Sequence, residues 1–241
     1  MSSADTTKPL RRRRTHRGLE PATLILGRSV DGRPIPAYHF PGGHETILVL
    51  GGFHGDEPKS VYVAQRLIET LARRNGSGAA SCDDICWVIV PIVNPDGYER
   101  RKRRNANHVD LNRNFPAQNW TLGNPRSRMF GGRRPASEPE TRAVIRAVER
   151  FAPHCIITIH SIDRNRLCNN YDGPGKRIAQ AMHRINHYPV TASIGYPTPG
   201  SFGTWAGAER GIPTITLELP SHHSAKRCWE DNSDALLYGL S

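Results

Sequence analysis

Four short apolar runs, at residues 46–50, 85–93, 156–159 and 213–217, constrain the fold more than any other feature of the chain. Each is rich in aliphatic or β-branched residues and short for a helix, so each reads as a strand buried on both faces. Helical patterns lie between them. Residues 59–74 carry Val61, Val63, Ala64, Leu67, Ile68 and Leu71 at helical spacing. A second helix is expected over 137–151, opened by a capping Ser137 with Pro139 and acids in the first turn. Further helices are expected over 176–187 and 229–240, with a short one at 200–209. Residues 23–26 and 35–40 flank a turn at 30–33 and suggest a hairpin. Strands alternating with helices argue for an α/β sheet covered on both faces. Residues 21–241 read as one domain, preceded by a flexible basic tail at 1–20.

At 241 residues the chain is long enough for one full core. No apolar run approaches the ~20 residues of a membrane helix. The arginines at 11–14 are not followed by an apolar stretch of signal-peptide length, which favours a cytoplasmic location. The five cysteines include no Cys-x-x-Cys pair, so reduced thiols are expected, with Cys82 and Cys86 as plain thiols rather than metal ligands. The net charge of +11 would draw nucleic acid, anionic lipid or an acidic small substrate. It is concentrated at residues 11–14 and in Arg101-Lys102-Arg103-Arg104. Neither run has the interleaved aromatics of a nucleic-acid site, so nucleic acid is not expected as the partner.

Chemistry gathers at the ends of three of the four runs. The run at 46–50 is followed by Gly51-Gly52-Phe53-His54-Gly55-Asp56-Glu57, the run at 156–159 by His160-Ser161, and the run at 213–217 by Glu218. Strand C-termini are where open α/β sheets bind ligands. Two histidines and one carboxylate leave the fourth position of a zinc site open, and a further carboxylate could act as a base. Each residue also has a plain reading: His160 as a satisfied core histidine, Glu218 as the partner of an arginine. The long irregular stretch from residue 98 to 137 contains Arg103, Asp110, Asn112 and Arg113. Arginine there suits both an oxyanion donor and a carboxylate fork.

The ordered set His54-x-x-Glu57, Asn94-Pro95-Asp96-Gly97, Arg103, Asp110-Leu111-Asn112-Arg113-Asn114, His160-Ser161 and Glu218 resembles the zinc carboxypeptidase family across residues 45–220. Within it, Arg103-x-Asn105-Ala106-Asn107, residues 109–116, Ser137-Glu138-Pro139-Glu140-Thr141 and Gly195-Tyr196-x-Thr198-Pro199-Gly200-Ser201-Phe202-Gly203-x-Trp205 are most similar to the bacterial murein peptide amidases. The resemblance implies a mixed central β-sheet with helices on both faces. It also implies one zinc ion per chain on His54, Glu57 and His160, with Asp56 dropping out as a ligand. Glu218 would be the general base and acid, Arg103 the oxyanion donor, and Asn112 and Arg113 the carboxylate clamp. Asp110 would buttress His54, and Tyr196 would cover the substrate. The implied reaction is hydrolysis of the γ-D-glutamyl–meso-diaminopimelate bond of a small anionic murein peptide. Another carboxypeptidase or an N-acyl amino acid deacylase of the same superfamily is the alternative. One departure is His108, where glycine is usual; it is expected to crowd the loop or add a donor near the site.

Overall fold

The computed structural model describes residues 21–74, 85–163 and 166–240. The expected tail at 1–20, the helix stop at 75–78 and Cys82 lie outside the described residues. Eight strands form one sheet: β1 (Ala22–Arg28), β2 (Pro34–Phe40), β3 (Glu45–Leu50), β4 (Ile85–Val90), β5 (Cys155–Ile162), β6 (Cys168–Asp172), β7 (Val190–Thr191) and β8 (Thr214–Pro220). Their spatial order is β1-β2-β4-β3-β5-β8-β6-β7. The four apolar runs of the sequence are β4, β3, β5 and β8, and they form the parallel centre. The expected hairpin β1–β2 joins antiparallel at one edge, and β6 runs antiparallel to β8 at the other. The sheet is therefore mixed, with its most apolar strands innermost, where both faces are covered.

The helices are α1 (Pro58–Arg74), α2 (Pro95–Arg100), α3 (Pro139–Phe151), α4 (Lys176–Asn186) and α5 (Ala225–Tyr238). Alternation along β3 divides the core in two. Ile47 and Val49 join Val63, Leu67 and Leu71 of α1, Met182 of α4 and Leu236 of α5. Leu48 and Leu50 turn to the opposite face, with Val144 of α3 and the aromatic side chains of Phe115, Phe202 and Trp205. Helices thus cover both faces, as the strand pattern requires.

Several local readings change. Asn94-Pro95-Asp96-Gly97 is the start of α2 as well as a turn. Asn94 Oδ1 accepts from the Gly97 N–H at 2.9 Å, and a proline follows the cap, which its fixed φ and missing N–H favour. Ser137 does not cap α3. Glu138 occupies the cap position, and the Ser137 hydroxyl donates to its carboxylate at 2.7 Å. The 200–209 segment forms a π-helical turn over Thr204–Ala208. β6 was not anticipated, because Cys168-Asn169-Asn170-Tyr171-Asp172 has no apolar run; it forms by pairing with the already ordered β8.

Candidate metal centre and active site

The parallel centre brings strand C-termini to one edge of the sheet. There His160 of β5 and Glu218 of β8 are paired in register. The loop after β3 delivers His54 and Glu57 to the same point. That loop has little freedom: a Cβ on Gly55 would lie 1.9 Å from the carbonyl carbon of Gly97. Asn94 ties the loop down, its side-chain amide donating to the carbonyls of Phe53 and Arg103, each at 3.2 Å. His160 stacks on Phe53, the rings 5.6 Å apart and 14° from parallel.

His54, Glu57 and His160 are buried, and one ligand atom from each lies within 4.8 Å of the others. His54 Nδ1 is 2.7 Å from Glu57 Oε1, and His160 Nδ1 is 3.1 Å from Glu57 Oε2 and 3.2 Å from His54 Nδ1. The tautomer of His54 follows from Asp110. Burial alone would raise the Asp110 carboxyl, but the neighbouring His54 and Arg103 charges outweigh it and hold it well below the usual range. It is therefore an acceptor, and His54 Nε2, at 3.0 Å, must donate to it. In neutral His54 the Nδ1 lone pair then faces a carboxylate. Burial likewise raises the Glu57 carboxyl, and the two histidines outweigh it, so Glu57 is ionised. Two imidazole nitrogens and a carboxylate converging on one point at such distances need positive charge among them, carried by protons or by a metal ion, and two nitrogens with one carboxylate oxygen fit a zinc ion. His54, Glu57 and His160 are the residues that could hold it.

The other expected residues line the cavity of about 130 Å³ beside this cluster, except Asp110, which lies beneath it. Glu218 is buried there, and its carboxylate makes no hydrogen bond or ion pair among the described residues. Burial, then the negative charge of Glu57, pushes its carboxyl up to about 8, against the opposing pull of His54, Arg103 and Arg113. The plain reading of Glu218 as an arginine's partner is not what is observed. Arg103 Nε donates to Asp110 Oδ2 at 3.0 Å and its Nη2 forms an ion pair with the same oxygen at 2.9 Å, leaving Nη1 3.5 Å from Glu57. Arg113 is buried; desolvation lowers its pKa, against the pull of Asp110 and a hydrogen bond with the Tyr196 side chain. Asn112 accepts from the Phe202 N–H at 2.9 Å and turns its amide nitrogen toward His160 Nε2, 3.3 Å away. Tyr196, 40% exposed, stands at the mouth of the cavity.

Asp56 points away from the cluster, toward Arg128 at 3.6 Å. His108 neither crowds the loop nor donates into the site. It is exposed, outside the cavity lining, with φ +60°, the left-handed conformation that a glycine would take without strain. Asp172, at the end of β6, escaped sequence reasoning. Its carboxylate lines the cavity, makes no hydrogen bond or ion pair among the described residues, and is pushed up to about 6 by burial. Only an acid in a polar stretch before Gly173-Pro174-Gly175 marks it in the sequence.

The zinc carboxypeptidase family model matches residues 21–228. Murein peptide amidase A of Escherichia coli (strain K12) is 36% identical over 225 residues, covering 87% of this chain and 86% of that protein. The amidase of the same name from Vibrio campbellii is 33% identical, over 80% of this chain and 77% of its own. The crystal structure of murein-tripeptide amidase MpaA from Escherichia coli O157 superposes with a TM-score of 0.73 at 33% identity, covering 95% of this chain and 96% of that one. Carboxypeptidase A from Helicoverpa armigera, at 20% identity, shares the fold with a TM-score of 0.77 over 91% of this chain and 68% of its own. Matching motif order, sheet and buried ligand cluster agree: the chain belongs to the zinc carboxypeptidase family, metallopeptidase-type hydrolases.

Proposed function

We propose that this protein is a zinc-dependent amidase that cleaves the γ-D-glutamyl–meso-diaminopimelate bond of murein peptides, acting in the cytoplasm in the recycling of cell-wall peptides. The observation that carries the reading is the charge layout of the cavity. Arg113 and the amide of Asn112 border it beside the metal cluster, and Asp172 contributes an unpaired carboxylate of its own. A leaving group with an α-carboxylate and a distant ammonium satisfies both, and diaminopimelate has that pattern. Similarity to the two amidases supports the same substrate. The basic balance of the chain suits a small anionic peptide. No described helix is long and apolar enough to cross a membrane.

In this reading His54, Glu57 and His160 hold one zinc ion per chain, and residues 21–241 are the catalytic domain. When bound, the ion supplies Lewis acidity toward the scissile carbonyl and lowers the pKa of water. Glu218 takes a proton from the attacking water and returns it to the leaving nitrogen. A carboxyl already raised by burial suits a group that must both accept and donate near neutrality. The C–N bond breaks, releasing a carboxylate and the amine of diaminopimelate. Arg103 donates to the carbonyl oxygen as it gains negative charge. Asn112 and Arg113 hold the carboxylate beside the cut bond, and Tyr196 closes over the substrate. Asp110 keeps His54 in the tautomer that presents Nδ1.

The test compares L-Ala-γ-D-Glu-meso-diaminopimelate with a C-terminal dipeptide and an N-acyl amino acid. Release of free diaminopimelate is expected from wild type. Glu218→Gln should retain zinc and lose nearly all turnover, and Asp172→Asn should raise KM about tenfold or more for loss of a charge-assisted contact. Turnover of only the dipeptide or the acyl amino acid would overturn the assignment.

A further inference from the structure

A second cavity, of about 770 Å³, adjoins the first. Glu57, Arg103, Ser161, Ile162 and Tyr196 border both, so the two meet at the reaction site. Arg113 and Asp172 line only the first. With the leaving group held between those two, the acyl half of the substrate extends into the second cavity.

The second cavity also presents Lys59, Arg128 and Arg166, with Asp56 and Asp163 as its other charges. These cations are not equally free. Lys59 Nζ donates to the carbonyls of Pro220 and Ser221, and Arg103 is committed to Asp110. Arg166 makes no hydrogen bond or ion pair among the described residues. Among the described residues Arg128 makes a single ion pair, with Asp56, whose carboxylate is 3.6 Å away and outside hydrogen-bond length. The segment carrying Arg128 is anchored to the catalytic loop. Arg104 Nη1 donates to the carbonyls of Pro125 and Ser127 at 3.3 and 3.2 Å, and the Asp110 N–H donates to the Phe130 carbonyl at 2.8 Å. Arg128 is thus an underused guanidinium on a fixed turn, two residues from the backbone that holds Asp110.

We propose that this cavity is an acyl-side subsite in which Arg128, supported by Arg166, binds a free carboxylate on the acyl group. The proposal rests on the amidase reading and names the acyl-side group it selects. A γ-linked glutamyl residue keeps its α-carboxylate, and that is the one anion the acyl residue carries beside the scissile carbonyl. A guanidinium meets a carboxylate bidentately with two charge-assisted hydrogen bonds; a carboxamide offers one acceptor and no charge. Pro58, Met129 and Ile162 supply apolar wall for the alanyl methyl and the glutamyl methylenes.

Steady-state kinetics of wild type, Arg128→Gln and Arg166→Gln on two tripeptides test this. One substrate carries the free glutamyl α-carboxylate and the other an α-carboxamide at the same atom. Wild type should prefer the acid about tenfold or more in kcat/KM, mostly through KM, as expected for a charge-assisted contact. Arg128→Gln should reduce that preference to about twofold while leaving turnover of the carboxamide near wild type, with Arg166→Gln intermediate. Arg128→Lys should recover part of the preference by restoring the charge without the fork. Equal wild-type rates on acid and amide overturn the proposal, as does an Arg128→Gln loss of the same size on both. Wild type that turns over neither tripeptide refutes the amidase reading, and this subsite with it.

Discussion

Asp110→Asn tests how far one buried carboxylate organises the site. Asp110 is fully buried. Its Oδ1 accepts from His54 Nε2 and the Asn112 N–H, each at 3.0 Å, and its Oδ2 accepts from Arg103 Nε and pairs with the Nη2 charge at 2.9 Å. An asparagine must put its NH2 at one of these positions. At Oδ2 it opposes the Arg103 guanidinium; at Oδ1 it opposes His54 and the Asn112 backbone. Either way a buried donor loses its acceptor and Arg103 loses its main counter-charge. Unpairing a buried charge costs about 3–5 kcal/mol, against about 5–15 kcal/mol for a whole domain. For a chain of this length the metal-free melting temperature should fall by roughly 6–20 °C. With its orienting partner weakened, His54 should also bind zinc about 10–100-fold less tightly. Thermal unfolding of the metal-free protein and zinc competition against a chelator measure the two effects separately. A melting temperature within about 2 °C of wild type, together with zinc affinity within about threefold, would refute the reasoning, since unmet donors of this kind are expected to cost more.

Three further outcomes are expected. Burial and then Glu57 push Glu218 up to about 8 from an ordinary 4.5. Between those values the folded protein keeps a proton that the unfolded chain has released, so this group's contribution to stability falls as pH rises through the window, by up to about 1.4 kcal/mol per unit. Metal-free Glu218→Gln should therefore gain on wild type from pH 5 to 8 in denaturant unfolding; parallel pH profiles would contradict that. Zinc should move the wild-type effect to lower pH by favouring the carboxylate. Gly55→Ala should fail to give soluble folded protein, since its Cβ would meet the Gly97 and Tyr98 backbone at 1.9–2.3 Å, whereas Gly123→Ala, with open space around it, should melt like wild type. His108→Gly should raise stability by about 0.5–1 kcal/mol by relieving left-handed strain, with kcat/KM unchanged; altered kinetics would bring His108 into the site.

The sequence alone determined the four central strands and the candidates at their ends. Both are local signals: a dense apolar run marks a buried strand wherever it occurs, and a histidine or glutamate at its end needs no distant partner to be noticed. The ordered motifs added the family. Tertiary structure decided what depends on contacts between distant residues. His54 takes its tautomer from Asp110, 56 positions away. Glu218 acquires its raised pKa because the β5–β8 register and the loop after β3 bury it beside Glu57 without an arginine partner. The polar strand β6 exists because β8 offers it a ladder, and only that pairing turns Asp172 into an unpaired carboxylate in the cavity. Arg128 reads in sequence as one more arginine in a basic loop. The backbone hydrogen bonds of the folded chain anchor its turn beside Asp110, at the groove opening onto the site. Periodicity records which way a side chain faces; it carries no information about which distant charge will meet it or whether water is left to screen them.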